Sequence, residues 1–497
     1  MRFTDALFAA AATSGATAAA TGPEAQGLGA RQAANTITVD LTKTYQTMDG
    51  FGFSTAFQRG NLITNLSNKK VQRELLDLLF NRTTGAGFSI IRTGIGSSPD
   101  SSSDHMNTFA PKNPGGPTAA PQYQWDGKDS GQLFVCQEAV KTYGVRAIYA
   151  DAWSAPGYMK TNNNENNGGT LCGMPGAATC QSGDWRQAYA SYLAAYVRFY
   201  REAGVNVTHL GFLNEPEFAA SYASMSANGN QAADFIKVLH ATLVAENLTD
   251  TTGIACCDSE GWGNQVNMMN SIRSAGAEDL MKAVTSHTYT GGSSGAMNTK
   301  VPVWLSEQCD LQGAWTTAWY SSGGAGDGLT WANNIYSAVV NTGVSGYLYW
   351  EGVQWPNPNT NEKIIKVDNA TNTYEVANRL WAFANWSRYV RPGAVRVGSS
   401  GGGGGSVKTA AFKNLDGSIA VVAINTGASA SPVSVKVAGA GEARAWVSDN
   451  THKCEETTVT VGSDGAVAGS LPARSIVTFV ITPAAAAAPA AEGGGDA

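Results

Sequence analysis

Two glutamates stand where a pair of carboxylates could do chemistry. Glu215 lies in Leu213-Asn214-Glu215-Pro216-Glu217 and Glu307 in Trp304-Leu305-Ser306-Glu307-Gln308, each closing a run of apolar residues that reads as a strand. One carboxylic acid can protonate a leaving oxygen while a facing carboxylate attacks the carbon being left, and a pair about 5–5.5 Å apart can do both on an acetal. Carboxyl groups this close disfavour double ionisation, so an acidic pH optimum is expected. Asp258 is a third acidic group at a strand end, and it is expected only to hydrogen-bond backbone.

Two side chains from stretches so far apart need a frame that brings strand ends together. Eight β-branched or aromatic runs recur between residues 48 and 352: MDGFGFS, FSIIRTGIG, RAIYADAWS, HLGFLNEPE, GIACCDSEG, AVTSHTY, VPVWLSEQ and GYLYWEG. Helix-like stretches separate them, such as NKKVQRELLDLLF with Val71, Leu75, Leu76, Leu78 and Leu79 on one face. Another is WRQAYASYLAAYVRFYREAG, with Tyr192, Tyr196 and Phe199 on one stripe and Gly204 as its stop. This alternation predicts a (β/α)8 barrel over residues 48–390, with chemistry at the C-terminal strand ends. Glu215 then ends the fourth strand and Glu307 the seventh, and the two can face each other across the mouth. From residue 391 to 482 only strands recur, which predicts a side β-sandwich, and the early strand at residues 35–47 is expected to join it. The glycine run at 399–406 reads as a loop, and the Ala/Pro/Gly tail at 483–497 cannot bury a core.

The 33 basic and 39 acidic residues give a net charge of −6, and only 14% of residues are charged. No basic footprint for nucleic acid exists. The 13 Trp, 17 Tyr and 16 Phe instead offer flat rings for a core or for stacking on sugars. Residues 1–20 resemble a secretory signal ending in Ala18-Ala19-Ala20, and no later run is long and apolar enough for a membrane span. Sequons at Asn65, Asn81, Asn206, Asn247, Asn369 and Asn385 favour a secreted glycoprotein. Of seven Cys, Cys172 and Cys180 flank a small-residue loop and form either a local disulfide or two buried thiols. The five scattered His lack zinc-like spacing, so neither a metal nor an organic cofactor is expected.

The motifs LNEPEF and VWLSEQ, with MDGFGFS, RTGIGSSPDSSS and WSAPGYMKTN, resemble glycoside hydrolase family 30, over about residues 36–483. The resemblance implies a retaining hydrolase with a barrel and side β-domain, Glu215 as acid/base and Glu307 as nucleophile. The segment Gly52-Phe53-Ser54-Thr55-Ala56-Phe57-Gln58-Arg59 is most similar to the fungal xylan-degrading branch. Some members there use the arginine matching Arg59 to grip the carboxylate of a methylglucuronic acid side group, a task suited to a guanidinium fork.

Further substrate-binding candidates are Arg92, Trp153, Asn214, His287, Tyr289 and Trp350. Arg92 is expected to hold Glu307 ionised, and Tyr289 to donate to it. In this clan the residue matching Asn214 contacts the sugar 2-OH. His287 either lines the site or is a satisfied core histidine, and Trp153 and Trp350 either stack on sugar or pack in the core. Trp262, Trp315, Trp355 and Tyr347 are lesser candidates. The expected protein is a secreted, monomeric hydrolase of xylan or glucuronoxylan. The alternatives are a β-1,6-glucanase or glucosylceramidase-like hydrolase, a non-catalytic carbohydrate-binding barrel, or a structural glycoprotein whose β-domain is the working part.

Overall fold

The computed structural model describes residues 35–100, 105–402 and 405–484. The signal-like segment and the tail beyond residue 484 lie outside these residues. The eight runs form eight barrel strands: β1 Gly50–Ser54, β2 Ile90–Ile95, β3 Ala147–Ala152, β4 His209–Leu210, β5 Gly253–Ser259, β6 Met281–His287, β7 Val303–Glu307 and β8 Gly346–Gln354. All neighbours are parallel. The sheet closes because β8 pairs with both β1, at Tyr347 opposite Phe51, and β7, at Gly346 opposite Trp304. The fold is a closed (β/α)8-type barrel with a C-terminal β-sandwich.

β4 is shorter than its sequence run, and the reason is local. At Gly211 a Cβ atom would lie 2.1 Å from Asp151 Oδ1, so only glycine lets the chain pass β3. Beyond it the ladder gives way to a turn in which Glu215 adopts φ +47° and donates its amide to the Asp258 carbonyl at 2.8 Å.

Side chains pointing into the barrel stack in layers, as strand alternation requires. Ile90, Tyr149, Ala255, Ala283, Trp304 and Leu348 form an apolar floor. Above it lies a polar layer containing Arg92, Asp151, Asp258, Thr285 and Ser306, each fully buried. The two glutamates stand above that layer.

Outside the barrel, the helix Lys69–Phe80 starts where the Asn68 side chain accepts from the Lys70 and Val71 amides, and it buries Leu75, Leu76, Leu79 and Phe80. The helix Arg186–Glu202 buries Tyr189, Tyr192, Tyr196 and Tyr200, and the chain turns away at Gly204, φ +82°. The expected regular alternation fails once. Residues 288–302, between β6 and β7, contain no helix, because the Gly/Ser-rich stretch Thr-Gly-Gly-Ser-Ser-Gly has no apolar stripe to bury.

The strand Asn35–Thr47 lies between Val395–Gly401, antiparallel, and Ser431–Lys436, parallel. The sandwich core is built from residues such as Ile37, Val421, Val433, Val477 and Phe479. Its other strands include Val395–Gly401, Lys453–Thr457 and Val467–Leu471. The first corrects the reading of 399–406 as wholly loop, since Ser399 and Ser400 pair with Val39 and Thr38. The last strand also runs on to Pro483, so the tail starts later than its composition suggested.

Cys172 and Cys180 are disulfide-bonded, and the adjacent Cys256 and Cys257 are bonded to each other. Cys136, Cys309 and Cys454 are buried free thiols. Asn385 cannot serve as a glycosylation acceptor in the folded chain. It is fully buried and donates to the Trp381 carbonyl at 2.9 Å and to Ser448 Oγ at 2.6 Å. No helix among the described residues is long and apolar enough to cross a membrane.

Candidate active site

A cleft of about 510 Å³ opens at the C-terminal ends of the strands, with Glu215 and Glu307 in its floor. One carboxylate oxygen of each, together with one ring nitrogen of His287, lie within 4.8 Å of one another. Glu307 is the more tightly held. Arg92 Nη1 donates to its Oε2, and the Tyr289 hydroxyl donates to Oε1 at 3.0 Å. Burial nevertheless pushes the Glu307 carboxyl above its ordinary range, and the nearby Glu215 adds to this against the pull of His287 and Arg92. Arg92 does pull downward, but taking the carboxylate out of water outweighs it.

Arg92 and His287, expected among the substrate-binding residues, do not line the cleft. Both are fully buried beneath the glutamates and form no part of the cleft wall. Arg92 reaches Asp151 at 2.8 Å, Asn214 Oδ1 at 2.5 Å and Asp258 at 3.4 Å, and its guanidinium lies 4.3 Å from the Trp153 ring centre. With Oδ1 of Asn214 so engaged, its Nδ2 is left as a donor toward the cleft that the residue lines. His287 places Nδ1 2.9 Å from Glu215 Oε1 and Nε2 3.1 Å from Asp258 Oδ1. Desolvation would lower its pKa, but Glu307, Asp258 and Glu215 together push it up to about 10. Glu215, Glu307 and His287 are metal-ligating types, and both His287 ring nitrogens already face carboxylates, Glu215 and Asp258.

Asp258 corrects a further expectation. It accepts from side chains on three strands: Tyr149, Thr285 at 2.7 Å and Ser306 at 2.5 Å, besides His287 and Arg92. Burial opposes its ionisation, but Arg92 and His287 hold its carboxyl well below the usual range. Asp151 shares Arg92 without that set of donors, and burial plus the charge of Asp258 push it up to about 8.

The cleft wall is aromatic, with Trp153 and Trp350 both lining it. Phe57 joins them through edge contacts to Trp153 at 5.6 Å, Tyr222 at 5.6 Å and Trp350 at 5.9 Å. Trp262, Trp315, Trp355 and Tyr347 are outside the lining. Trp262, for instance, packs in the core with Nε1 on the Gly295 carbonyl.

Arg59 does line the cleft, but it is only 4% exposed, and its Nε lies 2.8 Å from Glu351, which is wholly buried. It is thus neither a surface residue nor an uncommitted guanidinium fork. Phe57, His105, Phe218, Tyr222, Glu260, Leu311 and Glu362 also border the cleft and were not singled out from sequence. Phe57 had a signal, because it sits in the quoted first-strand motif. The others lie beyond strand ends, where no periodicity marks them.

A closed barrel with two facing carboxylates and an aromatic wall at its mouth is the layout of a glycoside hydrolase. The chain belongs to O-glycosyl hydrolase family 30, whose profile matches residues 34–297, while the family 30 β-sandwich domain matches residues 393–479. It is similar to the catalytic domain of xylanase C from Talaromyces cellulolyticus, with 44% identity and a TM-score of 0.83 over 90% of this chain and 100% of that one. It also matches an endo-1,6-β-D-glucanase of Aspergillus fumigatus, 25% identical over 78% of this chain and 81% of that protein. The glucuronoxylanase XynC of Bacillus subtilis is 22% identical over 70% of this chain and 77% of that protein.

Proposed function

We propose that this glycoside hydrolase is a secreted, monomeric enzyme that cleaves β-1,4-xylosidic bonds of xylan with retention of configuration. The observation that carries the mechanism is the grouping of one oxygen each of Glu215 and Glu307 within 4.8 Å in the cleft, which supports the close spacing of a retaining pair over the wider spacing of an inverting one. Glu307, held by Arg92 and Tyr289, attacks the anomeric carbon. Glu215 in its acid form gives its proton to the departing oxygen, so the glycosidic bond breaks as the ester forms. Glu215, now a carboxylate, takes a proton from water, which attacks the same carbon and returns Glu307 as carboxylate. Asn214 Nδ2 is placed to hydrogen-bond the sugar beside that carbon, and the Trp153, Phe57 and Trp350 wall excludes water.

Xylan is favoured by the 44% identity with a xylanase over the length of that chain. The match to an endo-1,6-β-D-glucanase over 78% of this chain supports β-1,6-glucan as a second reading. Reducing-sugar release from linear xylan, glucuronoxylan, β-1,6-glucan and glucosylceramide decides between them, with ¹H NMR of the first-formed anomer as the test of retention. Release from glucan but not from either xylan would overturn the first reading. An inverted product would overturn the mechanism.

A further inference from the structure

The proposed reaction uses Glu215, Glu307 and the donors Arg92 and Tyr289; the structure adds a buried imidazole and carboxylate, His287 and Asp258, to which that reaction gives no role. We propose that His287, fixed in its cationic form by Asp258, is the counter-charge across which negative charge passes from Glu307 to Glu215 and back, with Asp258 as the positioning residue. The inference rests on Glu215 and Glu307 being the catalytic pair.

The geometry places one imidazolium against every carboxylate involved. Nδ1 is 2.9 Å from Glu215, and Nε2 is 3.1 Å from Asp258 and 3.7 Å from Glu307. The groups facing Asp258 come from four strands: Arg92 on β2, Tyr149 and Asp151 on β3, Thr285 and His287 on β6, and Ser306 on β7. Tyr289 meets the His287 ring edge-on at 5.9 Å, and Glu260 adds a more distant negative charge.

In this scheme the buried charges before reaction are Arg92 and His287 as cations and Asp258 and Glu307 as anions, with burial and the charge of Asp258 favouring the neutral form of Asp151. Formation of the glycosyl ester neutralises Glu307, and proton donation makes Glu215 the anion. Two cations still face two anions, so neither stage leaves an uncompensated charge out of water, which would be costly. A neutral histidine would leave the Glu215 carboxylate under-compensated in the second half-reaction, when it must act as base. Asp258 prevents this by keeping an anion on Nε2, and its carbonyl also fixes the Glu215 amide at 2.8 Å.

Two measurements test this. The first is ¹⁵N NMR of the ring nitrogens in the unaltered protein, free and trapped as the ester with a 2-fluoro-xylobioside. One of the five histidines should stay doubly protonated from about pH 5 to about pH 8 in both states. The assignment is made by its loss in His287→Gln. Deprotonation of His287 below about pH 7 in either state overturns the proposal.

The second is turnover of an aryl xylobioside with a good leaving group, so that ester hydrolysis sets the rate. Asp258→Asn should slow that step roughly ten- to hundredfold, with KM falling alongside kcat as the ester accumulates. It should also bring in a loss of rate as pH rises through neutrality, where His287 now gives up its proton. A uniform fall with an unshifted profile overturns the proposal. Failure of the wild-type protein to turn over any xyloside would instead sink the substrate reading, while the NMR measurement on the free protein still reports on His287.

Discussion

The side chain of Glu307 is held from two sides, by the guanidinium of Arg92 and the hydroxyl of Tyr289, whereas Glu215 faces the imidazole of His287. This asymmetry separates the two glutamates chemically. Glu307 is fixed as the acceptor of two donors while Glu215 faces a ring nitrogen, and the proposed nucleophile and acid/base roles rest on this difference.

Exchange of the two residues should therefore give distinguishable products. Glu215→Ala should lose roughly 10²–10⁴-fold in kcat on xylan and be partly rescued by azide, giving a glycosyl azide of retained configuration. Glu307→Ala should lose at least as much, and azide should give the opposite anomer. NMR of the azide product checks the assignment, and the reversed pattern would exchange the two roles.

Tyr289→Phe removes one donor from Glu307 without opening a cavity. We expect kcat to fall roughly ten- to hundredfold, the range for a hydrogen bond to a charged group, with thermal stability nearly unchanged. An unaltered kcat would show that Arg92 alone suffices to hold the nucleophile.

Arg59→Ala leaves the Glu351 carboxylate buried without its 2.8 Å partner, a loss of about 3–5 kcal/mol in stability. Because that guanidinium is committed to Glu351, activity on linear xylan and on glucuronoxylan should decline in parallel. Denaturant unfolding and the ratio of kcat/KM on the two polymers check both parts. A selective loss on the decorated polymer would restore Arg59 as a reader of side groups.

The pH dependence of stability should carry a signature of Asp151. Its carboxyl is raised from 3.8 to about 8 in the fold, so its contribution is fully present below about pH 4 and is lost as pH rises through about 8. Asp151→Asn is neutral at every pH and keeps an acceptor for Arg92. Tm measured from pH 4 to 8 should fall more steeply for the wild-type protein than for the variant.

Much of the barrel is legible in the sequence because its strands are buried on both faces and read as dense apolar runs, as in FSIIRTGIG and GYLYWEG. Glu215, Glu307, Asn214 and Tyr289 are legible because a barrel delivers strand-end residues to one mouth. The hub at Asp258 is not, since its donors come from four strands and no local pattern marks a residue whose partners, from Thr285 to Arg92, are 27 to 166 positions away. Arg59 misleads for the same reason, because its buried partner Glu351 lies on the eighth strand. The strand Val395–Gly401 was hidden by glycine and serine, poor strand formers that pair here because Asn35–Thr47 lies alongside.

The seating of Asn35–Thr47 between two segments some 360 to 400 positions later has a consequence for biosynthesis. A growing polypeptide emerges from the ribosome in order, so this stretch leaves the exit tunnel long before residues 395–401 and 433–436, its neighbours in the sheet, have been made. Until then it is an unsatisfied edge, open to wrong partners. Its Asp40, Lys43 and scattered threonines supply the polarity that discourages such pairing during the delay.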